Sequence, residues 1–157
     1  MLRLRDALAE AAETANKNVA AERIRAIGQR YVEFAQSDPH LFRAIFAERE
    51  SDESGPEAHA LREAGLAAFG ILVTEIAASL GESDDTLNVQ ETAFACWVFV
   101  HGQAVLSIDE HEGAIDQAID RDAIMHWTVQ AILASIKKRQ AFLSKRTGGY
   151  LSWRPQR

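Results

Sequence analysis

The chain has 157 residues, of which 47% are hydrophobic and 25% are charged, which suits a single soluble domain and excludes a disordered or fibrous chain. Seven basic residues and no acidic ones lie between Lys137 and Arg157. Because the net charge of the whole chain is −6, the first 136 residues together carry a net charge of −13. An acidic body of this kind argues against extensive nucleic-acid contact through the domain.

Local composition predicts an all-α fold. Alanine and glutamate are frequent, only three prolines occur, and alternating β-branched runs are absent. The N-terminus is charged and amphipathic and does not resemble a secretory signal, which predicts a cytoplasmic protein. The single cysteine, Cys96, lies within an apolar run, so we expect it to be buried and unreactive.

Three short helices are predicted in the first third of the chain. The first runs from Leu2 to about Thr14, and the second follows a polar break at 16–18 and ends near Ser37. Asp38-Pro39 predicts the start of the third, because Asp can cap a helix and Pro at the first helical position loses no needed hydrogen bond. These two later helices each present one apolar face, made by Ile24, Ile27, Tyr31 and Phe34 and then by Leu41, Phe42, Ile45 and Phe46.

A fourth helix is predicted from Pro56 to Leu80, where Gly81 ends it. Gly65 and Gly70 lie inside it at some cost in helix propensity, which suggests a close backbone approach or a bend. Its apolar face comprises Leu61, Ala68, Phe69, Leu72, Val73 and Ile76.

The fifth helix is predicted from about Thr86 to Ile108, with Ser83, Asp84 and Asp85 as capping groups. No charged residue occurs from Thr92 to Ile108, and the run is too short to span a bilayer. Because apolar side chains occur all around it, we expect this helix to be covered on every side and to form the core. One stripe contains Phe94, Trp97, Val98, His101 and Val105.

Asp120 can cap a long last helix that follows the loop 109–120 and ends at Gly148-Gly149. One side of it presents Ile124, Trp127, Ala131, Ile132, Ser135 and Ile136. We therefore expect a domain over 1–147 and a tail over 148–157. The last two helices have more apolar surface than a monomer of this size needs, which predicts a homodimer through a two-fold four-helix bundle. The expected interface residues are Ala104, Ile108, Ile124, Trp127, Ala131 and Ser135.

Two stretches carry a family resemblance. YVEFAQSDPHLFRAIF, residues 31–46, has the pattern Y-x-x-F-A-x-x-x-P-x-L-F-x-x-x-F, and Trp97-x-x-x-His101-Gly102 follows in the fifth helix. In this order they resemble the C-terminal regulatory domain of the tetracycline repressor (TetR) family, in the subgroup named after its Trp-His-Gly (WHG) signature. The resemblance covers nearly the whole chain and implies a six-helix domain of a transcriptional regulator that binds a ligand and dimerises.

The resemblance also implies a ligand-binding site, and it bears on whether this chain contacts DNA. A small, mostly apolar effector would bind between the third and fourth helices and the Trp97/His101 face, and the expected ligand-binding residues are Phe42, Phe46, Phe69, Val73, Phe94, Trp97 and His101. Full-length members begin with a helix-turn-helix region that is not in this sequence. We therefore expect no direct DNA contact from the chain as given, whether it is an excised domain or a free-standing relative.

Other interpretations remain open at this stage. His101 is either a hydrogen-bonded core histidine or a polar contact in the pocket, and the aromatic residues are either plain core or a cavity wall. Gly102 either admits another helix closely or leaves room for a ligand. Asp109, Glu110, His111 and Glu112 lack metal-ligand spacing, and no nucleophile motif or phosphate loop occurs, so we expect no metal, cofactor, enzymatic activity or membrane span. The alternative function is a helical interaction module that dimerises with itself or a related regulator without a ligand.

Overall fold

A computed structural model describes residues 3–15, 19–46, 55–109 and 119–150. These residues form six α-helices and no β-strand, which confirms the predicted all-α class. The helices are α1 (Arg3–Thr14), α2 (Ala20–Ser37), α3 (Pro39–Phe46), α4 (Pro56–Leu80), α5 (Leu87–Ile108) and α6 (Arg121–Tyr150).

Several helix ends are set by the local signals found in the sequence. The Asp38 carboxylate accepts a hydrogen bond from the backbone N–H of Leu41 (3.1 Å), and Asp120 accepts one from Ala123 (2.9 Å). Gly81 ends α4 in the left-handed conformation with φ of 67°, where a side chain would add strain.

The predicted cap of α5 is wrong. Thr86, and not residues 83–85, is the N-cap, and its hydroxyl accepts from the backbone N–H of Val89 (3.3 Å). Asp84 instead contributes its backbone carbonyl, which accepts a hydrogen bond from the Gln90 side-chain amide (2.6 Å). Thr86 takes this position because it directly precedes the first helical residue, where a side-chain oxygen reaches the free N–H groups.

The central element of the fold is α2, which packs against all five other helices. The predicted face of α2 is buried as expected, through Ile24, Ile27, Tyr31 and Phe34. Gly28 belongs to the same face, and a Cβ built on it would lie 2.9 Å from the Met125 sulfur of α6. Glycine therefore allows α2 and α6 to approach more closely than a side chain would permit.

Within the single chain, α5 is not covered on every side, so that expectation is wrong. One face is buried, through Val89, Thr92, Ala93, Cys96, Val100 and Ala104. The opposite face, which we call the outer α5 face, consists of Phe94, Val98, Gly102 and Leu106 and is exposed. Phe94 is 57% exposed, Val98 50% and Leu106 59%. The uncharged sequence showed that α5 is apolar all around, but it did not indicate which side the other helices leave open.

The predicted apolar side of α6 also differs from its buried side. Met125, Val129 and Leu133 point into the core, whereas Trp127, Ala131 and Ser135 are exposed. The helix continues through Gly148-Gly149 to Tyr150, so the predicted helix end is wrong. The rest of the predicted tail, 151–157, lies outside the described residues.

The segment Arg62–Leu80 of α4 is long and apolar enough to cross a membrane by composition alone, with mean hydropathy 1.5. Core helices of soluble proteins pass the same test. α4 packs against α1, α2, α3 and α5, and a single segment of this kind is weak evidence for a membrane span.

Candidate functional site

Aromatic residues from four helices form a connected group that includes His101, and we call this group the aromatic cluster. The imidazole of His101 lies 4.8 Å from the Phe46 ring and 5.0 Å from the Trp97 ring, measured between centroids. It stacks on Phe42 at 5.5 Å with an interplanar angle of 28°. Successive ring contacts connect all members of the cluster: Tyr31, Phe42, Phe46, Phe69, Phe94, Trp97 and His101.

A hydrogen bond between α2 and α5 fixes the histidine within this cluster. The Tyr31 hydroxyl lies 2.8 Å from Nδ1 of His101. Burial raises the pKa of Tyr31, an effect that a hydrogen bond with Trp97 partly offsets, and burial lowers the pKa of His101. Both shifts favour the neutral forms, so the bond joins a neutral phenol to a neutral imidazole, and the tautomer of the imidazole decides which of the two donates.

Helix α3 is held against α5 at two places. Phe42, almost fully buried, stacks on the His101 imidazole of α5 at 5.5 Å in the cluster. At the other place, the Arg43 guanidinium donates to the carbonyl of Ile108 (3.1 Å) and to the Asp109 carboxylate (3.0 Å). These contacts set the position of Phe46 relative to Trp97.

A groove of about 300 Å³ lies beside the cluster, between α3, α4 and α5, and it opens to solvent. The volume is at the lower end of the range for small-molecule sites, and the wall is mostly apolar, as such sites usually are. Four aromatic rings supply much of the wall. The lining residues are Ile45, Phe46, Arg62, Gly65, Leu66, Phe69, Phe94 and Trp97.

The structure places the predicted ligand-binding residues in two groups. Phe46, Phe69, Phe94 and Trp97 line the groove. Phe42 and His101 lie behind that wall, in ring contact with Phe46. Val73 is buried in the core and is not among the lining residues. His101 is therefore both a hydrogen-bonded cluster residue and a support for two groove side chains.

Several residues of the site escaped the sequence-based prediction. Tyr31 was expected only as part of the core face of α2, and its pairing with His101 joins residues 70 positions apart. Ile45 was expected only as part of the apolar face of the third helix, and Leu66 and Arg62 were not singled out at all. The one available signal was Gly65 inside a helix, where a Cβ would lie 3.4 Å from the Ile45 side chain.

The expected interface residues also differ in how exposed they are. Ala104 is completely buried within the protomer, so it has no surface to offer a second chain. Ile108 and Ile124 are half-buried. Trp127 is 59% exposed, and Ala131 and Ser135 are exposed with it.

The described residues show little reactive chemistry. No group of three or more His, Cys, Asp or Glu side chains within them could hold a metal ion, and of the loop 109–112 only Asp109 is described. Cys96 is buried as predicted, and burial raises the pKa of its thiol to about 12, which disfavours the reactive thiolate.

A comparison with protein families gives one match. The model of the tetracyclin repressor-like, C-terminal domain matches residues 24–132, which is more than half of the chain and includes all of the groove. The match does not identify a subgroup, so the Trp-His-Gly assignment stays a prediction. Neither the curated proteins nor the solved structures give a match. Domains of this family are regulatory, non-enzymatic parts of soluble regulators. The chain belongs to the tetracycline repressor-like C-terminal domain family.

Proposed function

We propose that this chain is the effector-binding and dimerisation domain of a cytoplasmic TetR-type transcriptional regulator, and that it senses a small, mostly apolar ligand in the groove. The observation that carries the proposal is the groove itself. Phe46, Phe69, Phe94 and Trp97 leave apolar and aromatic surface open where three helices meet. Surface of that kind, in a concave site, gains free energy when a ligand removes it from water.

The position of α4 supports a regulatory role. One part of α4 contributes Gly65, Leu66 and Phe69 to the groove, and the same helix packs against α1. The Arg23–Glu75 ion pair (2.6 Å) joins α2 to α4, and both residues line a pocket together with Ala9 and Ala12 of α1. In a complete regulator α1 would follow the DNA-binding region. A ligand that favours one position of α4 would therefore shift α1, and with it the separation of two DNA-binding regions.

Exposed apolar residues on α5 and α6 support the dimer. Phe94, Val98 and Leu106 of the outer α5 face, with Trp127 of α6, are each at least half exposed. A Cβ built on Gly102 would meet no atom within 4 Å. The close approach expected at Gly102 therefore does not occur within the protomer, and the site leaves room for a helix of a second copy. We propose that the homodimer buries this face, which moves the expected α5 contacts from Ala104 to these residues.

A thermal-shift screen tests ligand sensing. Saturation at about a hundred times Kd stabilises a protein by roughly 2.7 kcal/mol, which raises Tm by several degrees in a domain of this size. We expect hits among small aromatic and apolar compounds, and we expect Phe69→Arg and Trp97→Arg to abolish their shifts. Leu87→Arg is the control, because Leu87 is an exposed α5 residue that does not line the groove. Hits that persist in both groove variants would place the ligand elsewhere.

The alternative, a dimerising module without a ligand, rests on the same exposed apolar residues of α5 and α6. A dimer that shows no hit in the screen, and whose crystal structure has the groove filled by side chains, would favour it. A dimer with groove-dependent hits would favour the sensor.

A further inference from the structure

We propose that the groove selects a small aromatic carboxylic acid and that Arg62 binds its carboxylate. This inference rests on the proposed function and specifies the chemical class of the ligand. Among the described residues that line the groove, Arg62 is the only charged one, and the others are glycine, aliphatic or aromatic. A single cation beside an apolar wall fits a ligand that is apolar over most of its surface and carries one negative charge.

The guanidinium is available for this role. Within the described parts of the chain, Arg62 has no ion-pair partner, and the neighbouring Glu63 instead lies 3.5 Å from the His59 imidazole. A guanidinium presents a planar pair of N–H donors that matches the two oxygens of a carboxylate. One Arg balances the single charge of a carboxylate, whereas a phosphate group would leave negative charge without a partner.

The apolar part of the groove indicates an aromatic ligand. Phe46, Phe69, Phe94 and Trp97 offer ring faces and edges to one space. Offset and edge-on ring contacts stabilise aromatic pairs beyond the area that they bury. The protein as a whole is negative at −6, so long-range attraction does not favour an anion. Recognition of the acid therefore depends on the local contact with Arg62.

A pair of matched probes tests the assignment: 2-naphthoic acid and 2-naphthalenemethanol, which share the ring system and differ in charge. Isothermal titration calorimetry gives the Kd of each for the full chain. We expect Arg62→Gln to weaken naphthoate binding about fivefold, as befits an exposed charge pair, and to leave the alcohol unchanged. Arg5→Gln is the control, because Arg5 is an exposed arginine of α1 outside the groove.

Two further measurements locate and characterise the contact. Leu66→Ser removes an exposed apolar side chain from the groove, so it should weaken both probes. Higher salt should weaken only naphthoate, because ions screen an exposed charge pair. An equal response of both probes to Arg62→Gln, or naphthoate binding that Leu66→Ser leaves intact, would overturn the carboxylate site. So would failure of naphthoate to bind. Binding of the alcohol alone would contradict the carboxylate site but not the proposed ligand-sensing function. That function would be contradicted only if the wider thermal-shift screen gave no hit that depends on the groove residues.

Discussion

The Tyr31 hydroxyl and the His101 imidazole join α2, the central helix, to α5, the helix that forms one wall of the groove. Their 2.8 Å hydrogen bond occurs among aromatic rings, where a polar group without a partner is costly. The same imidazole contacts Phe46 and Trp97, both of which line the groove. A single contact therefore links the packing of the core to the shape of the candidate ligand site.

Tyr31→Phe removes only the hydroxyl and leaves Nδ1 of His101 without this hydrogen-bond partner. We expect the free energy of unfolding to fall by about 1 kcal/mol, and Tm by about 2–4 °C. Urea denaturation measures the change. Thr74→Val is the control, because the Thr74 hydroxyl makes an exposed hydrogen bond to Asp84 and its loss should cost under about 0.5 kcal/mol. Equal losses in the two variants would show that the buried hydrogen bond contributes nothing particular.

The stability of the domain should depend on pH through His101. Burial lowers the pKa of His101 in the folded protein, so the unfolded chain takes up its proton first as pH falls. The stability that the neutral imidazole contributes is therefore present above about pH 6.5 and is lost as pH falls from there through the folded pKa. Between about pH 7.5 and about pH 5.5, Tm should fall further in the wild type than in His101→Gln. Parallel Tm profiles for the two proteins would contradict the assigned protonation state.

Phe42 should be the most costly phenylalanine of the cluster to truncate. It is 1% exposed and contacts the rings of Tyr31, Phe46 and His101. Phe42→Ala should cost about 3–5 kcal/mol, through lost burial and the cavity left behind. Phe94→Ala makes the same chemical change at a 57% exposed position and should cost less than half as much. Urea denaturation of the two variants decides, and similar midpoints would contradict the burial found here.

Signals within a few residues of each other predicted the helices well. Asp38, Asp120 and Gly81 define helix ends through local hydrogen bonds or backbone conformation, and each acts as the sequence suggested. The apolar face of α2 is equally local, since it repeats at helical spacing between polar residues.

The orientation of α5 and α6 could not be predicted in the same way. Both helices have apolar residues on more than one side, so periodicity does not show which side meets the core. Ala104 and Trp127 were therefore assigned to the same interface, although Ala104 is buried and Trp127 is exposed. The pairing of Tyr31 with His101, and the position of Arg62 at the groove, depend on the packing of helices that are distant in sequence.

Two glycine-to-alanine substitutions compare a glycine at a close contact between helices with a glycine that has open space beside it. At Gly70 a Cβ would meet nothing within 4 Å, so Gly70→Ala should stabilise the protein by about 0.5–1 kcal/mol through helix propensity. At Gly28 the new methyl would lie 2.9 Å from the Met125 sulfur, which must move within the core. Gly28→Ala should therefore be about 1 kcal/mol less stable than Gly70→Ala. Thermal unfolding of both proteins measures this, and an equal gain at both sites would mean that Met125 moves aside without cost.

The proposed homodimer predicts which exposed residues hold two copies together. Val98 and Leu106 belong to the outer α5 face, so Val98→Glu and Leu106→Glu would each place a carboxylate in the buried apolar interface and should convert a dimer at tens of micromolar into a monomer. Both side chains are at least half exposed in the protomer, and helical circular dichroism should be retained. Leu66→Glu is the matched control: Leu66 is an exposed leucine of α4 and does not belong to the outer α5 face, so this variant should stay dimeric. Analytical ultracentrifugation distinguishes the cases. A wild-type monomer would show that the outer α5 face does not join two copies. So would α5 variants that remain dimeric, because burying an unpaired carboxylate in this interface would cost more free energy than the interface contributes.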